Sequence, residues 1–139
     1  MTWRIIVLTA LLGALAACGN QSPTSEQAKE IQTLLSWTAT VHLAADSWRQ
    51  GTVPQVYTTR TLQYAAEQLD SEQPKVAQLP PIAGDPSLAE RLQRVQTAIA
   101  QMNTAVEQGD RDALAGPLQQ IATEENAFQR LLDRAESGQ

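Results

Sequence analysis

Leu88, Leu92, Val95, Ile99, Met102 and Val106 follow one another in steps of 4-3-4-3-4. That spacing keeps six apolar side chains on one face of an α-helix, because a helix turns once in about 3.6 residues. A strand would scatter the same residues over both faces. A stripe this regular must be covered by other apolar faces, so it commits the chain to helix packing on helix. Its ends are marked as well. Asp85 is placed to cap the helix, with Pro86 at the first position, and Gly109 follows as a terminator.

Three further segments carry helical periodicity. The first runs from about Ser25 to Gln50, with Ile31, Leu34, Thr38, Val41, Ala45 and Trp48 on one stripe. Trp37 and Trp48 fall on one edge of that stripe, and Leu35 and His42 on the other. Ser22-Pro23 or Ser25 is expected to cap it, and Gly51 ends it. The second runs from about Val53 to Glu72, with Thr52 as cap and Pro54 in the first turn. It has two faces: Leu62, Ala65 and Leu69 on one, and Val53, Val56, Tyr57, Arg60 and Tyr64 on the other. The last runs from Asp110 to about Glu136, with Leu114, Leu118, Ile121, Phe128 and Leu132 as its stripe. Gly116-Pro117 is expected to kink or restart it.

The four segments are joined by short links at 51–52 and 109–110 and by a proline-rich loop over Gln73–Pro86. Short links impose antiparallel neighbours, so the expected fold is all-α: an antiparallel four-helix bundle over residues 25–139, in up-down-up-down order.

The same residues exclude much chemistry. One histidine and one cysteine rule out the paired Glu-x-x-His of a di-iron bundle, the Cys-x-x-Cys-His of covalent haem and the usual zinc ligand sets. No phosphate loop or nucleophile elbow is present. Non-covalent haem between His42 and Met102 is conceivable, but Met102 already belongs to the core stripe. The chain carries 15 Asp and Glu against 10 Lys and Arg, which disfavours nucleic acid as a partner. The expectation is a non-enzymatic protein with no cofactor and no metal.

Two features stand above this background. His42 and Asp46 share a face of the first helix. Folding back at 51–52 is expected to bring them opposite Tyr57, Arg60 and Tyr64. The cluster reads either as an interhelical seam or as a docking patch with Tyr and Arg anchors. The second feature is Glu125, which falls among Ile121, Phe128 and Leu132. A carboxylate there needs a partner, and Arg91 or Arg94 is the expected one, unless the acid serves a ligand.

The chain opens with Arg4 and a mostly apolar run over residues 5–17, which is too short for a comfortable membrane span of roughly 20 residues. It ends in Leu15-Ala16-Ala17-Cys18, and Cys18 is the single cysteine. This combination resembles the signal peptide and lipobox of bacterial lipoproteins. The resemblance implies cleavage before Cys18, diacylglycerol on its thiol and often a third acyl chain on its new amino group. Residues 1–17 are then a signal peptide and 18–24 a lipidated cysteine with a polar tether. Loss of Arg4 takes the formal charge from −5 to −6. Gly19 next to the cysteine favours an outer membrane, by analogy with enterobacterial lipoproteins.

The expected function is a lipid-anchored interaction or assembly module on a membrane or envelope complex, with an unidentified protein partner. In overall plan the chain is similar to the small four-helix lipoproteins that attach to photosystem II on the lumenal side in cyanobacteria, although no motif is shared. The alternative is a bundle that binds a small molecule or metal between its helices around His42 and Glu125.

Overall fold

The structure is a computed structural model that describes residues 22–138. The expected signal peptide, Cys18 and the first part of the expected tether lie outside the described residues. Among the described residues four α-helices form: α1 (Ser25–Arg49), α2 (Gln55–Gln78), α3 (Leu88–Glu107) and α4 (Ala115–Ser137). Each helix packs on its neighbours in sequence, and α4 closes the ring against α1. The diagonal pair α1 and α3 touches only lightly. This is an antiparallel up-down-up-down bundle.

Local chemistry explains the ends of the elements. Thr24 and Gln27 form a capping box on α1: Thr24 Oγ1 accepts from the Gln27 amide, and Gln27 Oε1 accepts from the Thr24 amide. The cap is therefore Thr24 and not Ser22 or Ser25. At the far end, Gly51 takes φ +78° and Gly109 takes φ +68°. In each hairpin the glycine amide donates three residues back and the next amide donates five residues back, Gly51 to Trp48 and Thr52 to Ser47, then Gly109 to Val106 and Asp110 to Ala105. These are paired Schellman turns. A Cβ at either glycine would meet open space, so the constraint there is the positive φ alone.

Further sequence expectations are corrected here. The helix assigned to Val53–Glu72 starts at Gln55, with Pro54 and not Thr52 at the N-cap position, and continues through Pro74 to Gln78. Pro74 deprives the turn of one hydrogen bond, at a cost of about 3 kcal/mol in a free helix. Val76 and the following Ile82 are nonetheless buried in the core, and burying one such side chain is worth about 1.5–3 kcal/mol. Tertiary packing thus carries the helix past its breaker. The connection shrinks to residues 79–87, and Gln27 Nε2 ties it to α1 by donating to Pro80 O at 2.6 Å.

The cap of α3 is Ser87, whose Oγ accepts from the Glu90 amide at 3.1 Å. Asp85 is instead drawn into ion pairs with Arg91 and Arg134. The segment from Asp110 begins with a 3₁₀ turn at Asp112–Leu114, and α4 starts at Ala115. Pro117 falls in its first turn, where the missing N–H costs little.

The expected stripes are the core. Ile31, Leu34, Val41, Leu62, Leu69, Ile99, Met102, Ile121 and Phe128 are all buried in one cluster. Among the described residues, no helix is long and apolar enough to cross a membrane.

Candidate functional site

The inner stripe of α2 is consumed by the core, and the outer one is left bare from Val56 to Tyr64, while Val53, ahead of the helix, packs partly against the core. Val56, Tyr57 and Tyr64 are each more than half exposed. Trp37 on α1 is half-buried and meets Tyr64 edge-on, with ring centroids 5.5 Å apart at 72°. That is a favoured aromatic geometry. Around this pair lies a shallow groove of about 440 Å³, lined chiefly by Trp37, Thr40, Val56, Tyr57, Arg60 and Tyr64. Arg60 is the only charged side chain in its lining. Among the described residues it has no ion-pair or hydrogen-bond partner; Arg130, outside the groove, has none either, whereas Arg49, Arg91, Arg94 and Arg134 are all paired.

The sequence-derived patch is therefore divided. Tyr57, Arg60 and Tyr64 come together as expected, and Trp37 joins them. His42 and Asp46 do not. His42 Nδ1 lies 2.6 Å from Glu125 Oε2, across the α1–α4 seam. Asp46 is held within its own helix by Arg49 at 2.7 Å and Gln50 at 2.6 Å. The reason is angular. His42 stands about 140° around α1 from Trp37, at roughly 100° per residue. Helix α2 takes the Trp37 edge and α4 takes the His42 edge.

The buried acid is also reassigned. The Glu125 side chain is 31 % exposed, while that of Glu124 is 1 % exposed. Ala127 and Leu131 are buried beside Ile121 and Phe128, which rotates the covered face of α4 towards Glu124. Glu124 meets Arg91 at 2.9 Å, Arg94 at 3.6 Å and Gln120 at 3.2 Å. Through Asp85 this network continues to Arg134. Its charges pair with one another, with Arg91 Nε left buried without a partner, and the network knits α3, α4 and the 79–87 connection together. The arginine partners were legible in the sequence, but the glutamate they serve was one residue away.

At the end of the bundle where α1 begins, Glu30 faces Glu72 and Lys75 of α2. Burial, first of all, pushes the Glu30 carboxyl up from 4.5 to about 7, and its hydrogen bond with Glu72 adds to the rise. Glu72 is held below its ordinary value by that same bond and by Lys75, whose Nζ is 3.0 Å away, against the opposing effect of burial. One proton shared between two carboxyls accounts for both directions. Reading the inner stripe on through Leu69 to Glu72 and Val76 would have flagged this site; ending the helix before Pro74 concealed it.

Comparison with protein-family models, curated proteins and solved structures finds no match. The site must therefore be read from its own chemistry.

Among the described residues, no group of three or more His, Cys, Asp or Glu side chains is placed to hold a metal. His42 and Glu125 do meet, but directly against each other. Met102 is fully enclosed in the core, whereas His42 sits at a partly exposed seam. Arg111 closes the far end of the bundle, stacking 4.9 Å from the Trp48 ring and donating to Trp48 O at 3.2 Å. Trp48 is thereby a structural residue, while Trp37 belongs to the groove.

Proposed function

We propose that this chain is a lipid-anchored, extracytoplasmic interaction module that docks a protein partner through the outer face of α1 and α2. The observation that carries the reading is the apolar groove around Arg60. The bundle buries its other stripes, yet leaves Val56, Tyr57 and Tyr64 in solvent around a cation that nothing else in the described chain engages. Tyrosine, tryptophan and arginine are the residues that most often anchor interfaces, since each combines a large apolar body with a polar group. The Leu15-Ala16-Ala17-Cys18 motif supports membrane attachment by acyl chains. More than one chain is needed for stable anchoring, because each buried CH₂ contributes about 0.8 kcal/mol.

The test is formaldehyde crosslinking of the full chain in its native envelope, comparing wild type with Tyr57→Ala/Tyr64→Ala. A higher-mass adduct that the double variant loses, while its helical circular dichroism and urea midpoint stay close to wild type, is the expected result. Identical adduct yields from the two proteins would overturn the docking reading.

A further inference from the structure

We infer that the occupant of the groove is an amphipathic helix of a partner protein, carrying an Asp or Glu that meets Arg60. This rests on the reading of the face as a docking site and specifies what docks there.

The shape argument comes from spacing. Tyr57, Arg60 and Tyr64 follow steps of 3-4 along α2, the same rhythm as the stripes that pack inside the bundle. Such a row forms a ridge, and the Trp37 side of α1 forms the other wall of a groove beside it. Ridges and grooves of this period accept another helix.

The charge argument comes from Arg60. Covering the groove with an apolar surface would strip water from an uncompensated guanidinium, which is costly. A carboxylate on the incoming helix removes that cost and sets the register by a bidentate contact. A second copy of this chain fits poorly. A two-fold pairing of the stripe brings Arg60 against Arg60, and the stripe from Val53 to Tyr64 contains no carboxylate. Lipid headgroups fit poorly too. Binding to an anionic surface takes a cluster of cations, and this groove has one. The groove also stands about 18–35 Å along the bundle from the start of α1, at 1.5 Å per residue.

The experiment places the photocrosslinker benzoylphenylalanine at position 57, 64 or the exposed neighbouring position 63 of the full chain, in its native envelope, and maps the adducts by mass spectrometry. Adducts from these positions are expected on one segment of one protein, with apolar residues three and four apart and an Asp or Glu among them. Arg60→Glu should lower the adduct yield tenfold or more, and reversing the mapped acid to Lys should restore it. Adducts to a second copy of this chain, or to a segment without a carboxylate, would overturn the inference while leaving a protein-docking face in place, and so would full yield with Arg60→Glu. Adducts to phospholipid alone would overturn both. No adduct from any of the three positions, in chains that remain helical, would overturn the docking reading and the inference together.

Discussion

Trp37 of α1 meets Tyr64 of α2 edge-on, 5.5 Å between ring centroids, at the boundary between the packed core and the open groove. The contact ties the half-exposed tyrosine of α2 to the half-buried tryptophan of α1. It should register as coupling. A double-mutant cycle with Trp37→Ala and Tyr64→Ala is expected to give an interaction energy of about 0.5–1.5 kcal/mol from urea midpoints. Strict additivity of the two substitutions would show that the rings do not hold each other.

Adjacent glutamates on α4 should behave differently. Glu124 is enclosed between Arg91 and Arg94, and breaking a buried pair from one side costs about 3–5 kcal/mol. Glu125 shares a partly exposed contact with His42, and such pairs are worth about 0–1 kcal/mol. Urea denaturation of Glu124→Ala and Glu125→Ala is therefore expected to separate them clearly, with Glu124→Ala much the weaker fold. The reverse order would return the buried acid to position 125.

The Glu30–Glu72 pair makes stability depend on pH. Glu30 has a folded value near 7 against 4.5 unfolded. Its contribution is complete below about 4.5 and is lost as the pH rises through about 7. Glu72 is shifted downward, so its contribution is present above 4.5 and is lost as the pH falls through its folded value. The pair thus contributes most near 4.5. Glu30→Gln keeps a donor towards Glu72 at every pH, and the difference in stability between wild type and this variant should shift in the variant's favour between pH 4.5 and 8. Carboxyl ¹³C titration should place the Glu30 midpoint near 7. A midpoint near 4.5, with no change in that difference, would show that no proton is shared.

Attachment is tested at Cys18. Cys18→Ser is expected to abolish incorporation of radioactive palmitate and to leave an unprocessed precursor. Equal labelling of wild type and variant would remove the lipoprotein reading, and with it the anchor beneath the proposed docking face.

Among the described residues, the helical stripes and both glycine-terminated hairpins were legible because each depends on neighbours within about seven residues, and the order of the bundle followed from the short links, which impose antiparallel neighbours. Periodicity assigns a side chain to a face, and a glycine at positive φ stops a helix wherever it is folded. The proposed anchor motif at 15–18 lies outside the described residues and rests on residue type and order alone.

What only the tertiary structure decided was which polar group meets which. Glu124 and Glu125 differ by one step on the wheel, and the burial of Ala127 and Leu131 chose between them. His42 and Trp37 occupy opposite edges of α1, and the placement of α4 and α2 on those edges separated His42 from the Tyr57–Arg60–Tyr64 face. Pro74 reads locally as a stop, and burial of Val76 overrode it. In each case the local preference is worth at most a few kcal/mol, and the faces that meet across the bundle outweigh it.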